Sequence, residues 1–280
     1  MTAQLLDGKD LAAQLRQKMK EQVSAMSSKP GLGVVLVGDN PASKVYVEGK
    51  IKACEEVGIV SKKILLGANA TESEVIAAVD EMNQDREIHG FIVQLPLPEQ
   101  VSEHLVIDSI LAFKDADGFS AVNVGNMFLG KGLLLPATPK GIIRLLLAHN
   151  IPLKGKHAVV VGRSNIVGKP VSFLLQQQDC TVTMCHSKTE NLKSLTKQAD
   201  ILVVAIGKPR FVTKDMVKKG AVVVDVGMHR LEDGTLCGDV DFEKVKNKAG
   251  WITPAPGGVG PMTIAMLLEN AIECYQLQRR

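Results

Sequence analysis

Four short apolar runs in the second half of the chain, HAVVVG, CTVTMCH, ADILVVAIG and GAVVVDVG, constrain the fold more than any other feature. The first two are followed by helix-like stretches, at 167–177 and 192–198. Strands of this kind, joined by short crossovers, lie parallel with both faces covered. The second half therefore reads as the nucleotide-binding half of a doubly wound sheet. The first half alternates in the same way. A helix-like stretch at 10–26 leads to GLGVVLVGDNP, closed by Asp39-Asn40-Pro41, and then to a helix over SKVYVEGKIKACEEV. The run IVSKKILL, a helix-like stretch at 72–84 and the strand GFIVQLPLP follow, the last stopped by Pro96 and Pro98. Residues after 105 are less regular. A helix starting near Thr138-Pro139, with proline in its first turn, runs to about 149. The Pro/Gly loop TPAPGGVGP reads as irregular and precedes a final amphipathic helix at 262–276. The fold class is α/β with two domains that meet near residue 140.

With 280 residues, 45% of them hydrophobic, the chain can bury a large core. The formal charge of +3 is small, and no Lys/Arg run is interleaved with the few aromatics, so no nucleic acid is expected as partner. No apolar run approaches bilayer length, so no membrane is expected either. The five cysteines form neither a CxxC pair nor a metal-ligand spacing, and their odd number argues against a disulfide framework. With no signal-peptide pattern at the start, reduced thiols, a cytoplasmic location and no metal are the expectation.

HAVVVG runs into GRSNIVGKP and then into a helix. Gly162 and Gly168 flank this strand-to-helix turn, where backbone N–H groups and a helix N-terminus can approach a pyrophosphate. The spacing GxxxxxG is weaker than GxGxxG, and a purely structural turn explains it equally well. The end of the second strand adds context. An NAD site wants an acid there for the ribose 2′-hydroxyl, whereas CTVTMCH ends in His186-Ser187-Lys188. A hydroxyl and cations, with Arg163 at the first turn, suit a 2′-phosphate and so favour NADP. A solvated loop is the plainer alternative for His186 and Lys188.

Lys50 raises a different question. On a helical wheel Tyr46, Val47, Ile51, Ala53, Cys54 and Val57 share one face, and Lys50 falls near its middle. Such lysines usually snorkel to water. If the ammonium cannot reach water, desolvation lowers its pKa and yields a neutral amine able to act as a base. Gln94, at the end of GFIVQ, is a polar group able to hold it, although a strand-end glutamine bonded to backbone is the simpler reading. Asp117 lies in KDADGF, an ordinary Asp-Gly turn. Its carboxylate offers two parallel acceptors to a ring that presents an amide N–H beside an exocyclic amine.

In this order and spacing VGDNPAS, YVEGK, VQLPLP, KDADGF, TPKG, VVGRSNIVGKP and TPAPGGVGPMT closely resemble the methylenetetrahydrofolate dehydrogenase/methenyltetrahydrofolate cyclohydrolase family over nearly the whole chain. The resemblance implies a two-domain enzyme, a homodimer with a folate cleft between its domains. It places a folate-binding catalytic domain at 1–139, a Rossmann-like NADP domain at 140–261 and, at 262–280, a helix returning to the first domain. The implied reaction is NADP-linked oxidation of 5,10-methylenetetrahydrofolate to the 5,10-methenyl form, then hydrolysis to 10-formyltetrahydrofolate.

Carried over residue by residue, the catalytic lysine is Lys50, the stacking tyrosine Tyr46, the lysine-holding glutamine Gln94 and the pterin-binding aspartate Asp117. Leu95, Pro96, Pro256, Gly257, Gly258 and Val259 would also face the folate. Gly162, Arg163, Ser164, Ile166, Gly168, His186, Ser187, Lys188 and Gly207 would face NADP. Three places depart from the family's usual pattern: Glu48-Gly49 between tyrosine and lysine, Ser120-Ala121 in place of His-Pro, and Ala137 in place of cysteine. Without the resemblance, a dehydrogenase for a small hydroxy or amino acid, or a nucleotide-binding protein without catalysis, would remain open. Both leave YVEGK, Gln94 and Asp117 without a joint purpose.

Overall fold

A computed structural model describes residues 2–132 and 134–279. The first half of the chain runs β1 (Gln4–Leu5), α1 (Gly8–Ser24), β2 (Gly31–Val37), α2 (Pro41–Val57), β3 (Val60–Leu66), α3 (Glu72–Gln84), β4 (Gly90–Val93), α4 (Glu103–Asp108), α5 (Ala121–Phe128) and α6 (Ala137–Ala148). The second runs β5 (His157–Val161), α7 (Gly168–Gln177), β6 (Thr181–Cys185), α8 (Leu192–Thr196), β7 (Ile201–Val204), β8 (Val222–Asp225), β9 (His229–Arg230), β10 (Leu236–Cys237), α9 (Phe242–Val245), β11 (Trp251–Ile252) and α10 (Val259–Leu277). Contacts divide the chain into two units, Met1–Ala12 with Thr138–Thr263 and Ala13–Ala137 with Ile264–Arg280.

The first unit is built on a six-stranded sheet in the order β1-β11-β8-β7-β5-β6, parallel throughout. The four apolar runs of the sequence are β5 to β8. Val159, Val161, Leu202, Val204 and Val223 from them pack into one buried cluster with Ile252 of β11. β5, β7 and β8 are covered on both faces and need no polar alternation, which is why they are so uniformly apolar, whereas β6, at the sheet edge, alternates threonine with Val182 and Met184 and is only partly buried. β1 and β11 have two residues each, too few to carry a periodicity. They join through Gln4↔Trp251 and Leu5↔Ile252, so the segment up to Ala12 groups with this unit and not with the residues that follow it. Strand order reverses at β5, with β6 on one side and β7 and β8 on the other, the kind of switch point where such sheets open a crevice.

The second unit holds the parallel three-stranded sheet β3-β2-β4. β2 is buried along its whole length. Gly33 is required there, because a Cβ would stand 2.7 Å from Met82 Sδ and 2.8 Å from Phe91 Cβ. α3 opens on a capping box: the Thr71 amide donates to Glu74 Oε2 (2.7 Å), and the Glu74 amide donates to Thr71 Oγ1 (3.3 Å). Buried Lys114 closes the other end of α3, donating from Nζ to the Met82 and Asp85 carbonyls at 3.1 and 2.7 Å. The region that reads as less regular contains α4 and α5, each capped by a serine. Ser102 Oγ accepts from the Leu105 amide and Ser120 Oγ from the Asn123 amide. Helices of 6 and 8 residues are too short to show a clear wheel. α10 starts at Val259, inside the loop that reads as irregular. Pro261 falls in its first turn, where a missing N–H breaks no helical bond. Among the described residues, no helix is long and apolar enough to cross a membrane.

Candidate active site

The buried side of α2 is formed by Val47, Ala53, Cys54 and Val57, and Lys50 lies with them at 8% exposure. Tyr46, one turn earlier, stands at the edge of that face and is 45% exposed, leaving its ring free to stack. Lys50 Nζ donates to Gln94 Oε1 at 2.9 Å. The amide of Gln94 is itself fixed. Its backbone N–H donates to the Val35 carbonyl (2.9 Å), and Nε2 donates to the Leu95 carbonyl (2.7 Å), just before the cis Leu95–Pro96 bond. With Nε2 committed, Oε1 is the atom left to face the lysine. Burial holds Lys50 below the ordinary lysine range, while the charge of Asp117 pulls the other way. Burial also pushes the carboxyl of Asp117 up to about 6, against the pull of Lys50 and with a push from Asp115. The structure thus brings Lys50, Gln94 and Asp117 within one electrostatic neighbourhood.

The loop that presents Asp117 is anchored by its buried neighbour. Asp115 accepts from the Gly118 amide (2.9 Å), the Ser120 amide (2.7 Å) and Asn123 Nδ2 (3.0 Å). Ser120 therefore does local work where the family commonly has histidine: it caps α5 and supplies an amide to Asp115. Gly118 has φ +72, and a Cβ there would stand 2.6 Å from the Leu135 carbonyl carbon. From α10, Asn270 Nδ2 donates to both the Ala116 and Leu135 carbonyls at 2.8 Å. Sequence reading misses Asp115, Asn123 and Asn270 as site supports. The available signal was a polar residue, Asn270, within the apolar stretch MLLENAIE.

The other expected residues lie in the first unit, at the carboxyl ends of its strands. Gly162, after β5, has φ +129, and a Cβ would overlap the Ala205 carbonyl oxygen. A Cβ on Gly168 would overlap the Gly162 carbonyl. Only glycine lets the backbone close this tightly. Ser164 Oγ accepts from the Val167 and Gly168 amides, both at 3.2 Å, at the opening of α7. Ile166 is half-buried beside it, and Arg163 is exposed. After β6, the His186 amide donates to Thr189 Oγ1 (2.8 Å) and the Lys188 amide to His186 Nδ1 (3.2 Å), and Ser187 and Lys188 are exposed. Gly207, after β7, has φ +66. Pro256 follows a cis bond, Gly257 has φ +109 and accepts from the Lys9 amide at 2.9 Å, and Val259 is buried as the first residue of α10. A Cβ on Gly258 would stand 2.7 Å from the Pro254 carbonyl oxygen.

Sequence reading also misses two buried acids in this unit. Asp225 accepts from the amides of Gly227 (3.0 Å), Asp239 (2.9 Å) and Val240 (2.9 Å). Asp239 accepts from those of Ile206 (2.7 Å), Gly207 (3.1 Å) and Lys208 (2.8 Å). Among the described residues, no group of three or more histidine, cysteine or acidic side chains is placed to hold a metal ion.

Known proteins resemble this chain over nearly its whole length. Residues 6–117 match the catalytic domain of tetrahydrofolate dehydrogenase/cyclohydrolase, and residues 136–279 match its NAD(P)-binding domain. The bifunctional protein FolD of Moorella thermoacetica is 54% identical over 276 residues, covering 98% of this chain and 99% of that protein. The crystal structure of the bifunctional FolD dehydrogenase/cyclohydrolase of Campylobacter jejuni superposes with a TM-score of 0.95 at 48% identity, covering 99% of each chain. The Trypanosoma brucei methylenetetrahydrofolate dehydrogenase-cyclohydrolase, solved with NADP and an inhibitor, gives 0.96 at 33% identity, covering 100% of this chain and 99% of that one. The chain belongs to the tetrahydrofolate dehydrogenase/cyclohydrolase family.

Proposed function

We propose that the two activities of this chain, NADP-dependent oxidation of 5,10-methylenetetrahydrofolate and hydrolysis of the 5,10-methenyl product to 10-formyltetrahydrofolate, are served by Tyr46, Lys50, Gln94 and Asp117. The observation that carries this reading is a lysine at 8% exposure on a helix with a well-formed polar face, held by a glutamine whose amide is itself pinned. Desolvation favours the neutral amine, which does not repel a cationic methenyl carbon and can take a proton from water. Water oxygen then bonds to that carbon, the bond from the carbon to N5 breaks with one water proton ending on N5, and the second proton leaves the oxygen for solvent as the formyl C=O forms. Gln94 Oε1 aims the amine, the exposed ring of Tyr46 stacks on the pterin, and the Asp117 carboxyl pairs with its amide edge. Leu95 and Pro96 border this site, and Pro256, Gly257, Gly258 and Val259 supply further folate contacts.

NADP, when bound, supplies the hydride acceptor for the oxidation. The residues present suit it. Gly162 and Gly168 keep the β5–α7 turn free of side chains, and the N-terminus of α7 favours a pyrophosphate. Ser164 and Ile166 border that turn, and Gly207 opens the β7 exit. Exposed Arg163, Ser187 and Lys188, with His186, offer charge and hydrogen bonds to a 2′-phosphate. The test is spectrophotometric, following NADPH and methenyl absorbance with methylenetetrahydrofolate and NADP. K50M is expected to lower hydrolysis by about 10²-fold or more and to keep NADP binding; unaltered hydrolysis would reject the assignment.

We further propose a homodimer, a cytoplasmic location and a division of labour in which residues 140–261 hold the nucleotide and 1–139, with the helix at 262–280, hold the folate. β3 is an edge strand with Val60 and Leu65 exposed, an apolar edge that a second copy would cover. All five cysteines are free and buried, which suits a reducing compartment. Light scattering on the intact chain tests the dimer, and a monomer at micromolar concentration would refute it.

A further inference from the structure

The loop leaving β7 is shaped by a buried carboxylate on a different segment. Asp239 is 0% exposed. Its Oδ2 accepts from the Ile206 and Gly207 amides, and its Oδ1 accepts from the Lys208 amide at 2.8 Å and contacts His229 Nε2 at 2.7 Å. A carboxylate already accepting three N–H groups makes Nε2 the donor. His229 lies on β9, the strand paired with β10 two residues before Asp239. The same segment is tied to the loop after β8, because Asp225 gathers the amides of Gly227, Asp239 and Val240. Glycine at 227 and 238 makes this possible: a Cβ at either place would overlap a carboxyl group, Asp239's for Gly227 and Asp225's for Gly238. The exits of β7 and β8, two strands at the carboxyl edge where this sheet type holds its ligand, are thus wired together through two acids and one imidazole.

We propose that His229 is a positioning residue for the nicotinamide nucleotide. By donating to Asp239 it fixes the orientation of that carboxylate, and through it the amides of Ile206, Gly207 and Lys208 that shape the β7 exit. It acts without touching the nucleotide. Three amides span both oxygens of Asp239 but leave Oδ1 with one donor once the imidazole is gone. The carboxylate can then tilt about its two-donor Oδ2, and the Lys208 end of the loop around Gly207, at φ +66, is held less firmly. The inference rests on the reading that Gly207 borders the nucleotide.

Three variants of the full-length chain, H229A, H229Q and R163A, test this through NADP affinity, KM and kcat of the oxidation, and the rate of methenyl hydrolysis, which needs no nucleotide. H229A is expected to raise Kd and KM for NADP about ten- to a hundredfold, the effect of one lost hydrogen bond to a charged group. Its kcat at saturating NADP and its hydrolysis rate should stay near those of the unaltered chain. H229Q, whose side-chain amide presents an N–H toward the same oxygen, should recover most of the affinity. The role is overturned if H229A binds NADP normally while R163A does not. It is also overturned if H229A and H229Q lose both activities together, because that pattern is loss of folding. If R163A too binds NADP normally, the nucleotide-site reading fails and this inference falls with it.

Discussion

Asp117 in the three-stranded unit and Asp225 in the six-stranded unit are both pushed by burial to about 6, yet their surroundings differ. Asp117 is opposed by a side chain, Lys50. Asp225 is opposed by backbone amides, those of Val240, Asp239 and Gly227, while the nearby charge of Asp239 adds to the push. An acid balanced by a movable side chain can change its proton when a ligand arrives. One balanced by amides is committed to the backbone it organises. In linkage terms both acids sit above the ordinary 3.8, so each favours the fold most when protonated. That contribution is complete below pH ~4 and is lost as pH rises through ~6. The comparison teaches that the first unit does its work with main chain and the second with side chains.

Removing Lys50 tests the side-chain half most severely. K50M is expected to lower hydrolysis by about 10²- to 10⁴-fold, the usual worth of a general base. In the unaltered chain, hydrolysis should rise with pH through a value below the ordinary lysine 10.5, and that rise should vanish in K50M. Stability follows the same titration. A buried lysine with a lowered pKa costs most where it is charged in both states, and the cost fades as pH climbs to 10.5. Any stability advantage of K50M should therefore narrow toward high pH in denaturant titrations.

Paired Asp→Asn changes set the two acids against each other. D225N puts an amide among three N–H donors, leaves at least one unpaired, and should cost about 2–4 kcal/mol in urea unfolding. D117N removes a desolvated charge, should change stability at pH 7 by less than about 1 kcal/mol, and should raise KM for folate. Similar losses in the two variants would erase the distinction between the two acids.

The main-chain half is tested at Gly162. Its φ of +129 and the overlap of any Cβ with the Ala205 carbonyl mean that G162A must move the β5–α7 turn. NADP affinity should fall by about tenfold or more, equivalent to about 1.4 kcal/mol, with hydrolysis retained. Loss of hydrolysis in step with affinity would mean that the turn is structural support alone.

The two halves were unequally legible in the sequence. β5, β7 and β8 are readable because strands covered on both faces are written in valine and isoleucine, and β6, at the edge, because threonine alternates with Val182 and Met184. Lys50 is readable because a charge on an apolar face breaks a period. The supports are harder to see. Asp115 and Asp225 look like turn and strand-end acids, and the amides that satisfy them are contributed by every residue type. β1 and β11 become strands only through each other, and Gln4 carries no sign of Trp251. Tyr46 shows the limit of the wheel: periodicity assigns it the direction of the buried face but not its exposure, which depends on what packs at that end of α2.

The smallest effect is expected at Gly49, beside Lys50, where the same Gly→Ala change should have the opposite sign. This glycine has ordinary helical backbone, and a Cβ would meet only Ile264 Cδ1, at 3.9 Å, an ordinary contact. Alanine adds helix propensity within α2 without displacing Lys50, so G49A should stabilise the chain by about 0.5–1 kcal/mol, read as a higher urea midpoint at unchanged slope. Hydrolysis should stay within about twofold, because Lys50 keeps its bond to Gln94. If G49A instead lowers hydrolysis while raising stability, then the flexibility of α2 at Gly49 belongs to the chemistry, and the side-chain site depends on its main chain as the nucleotide site does.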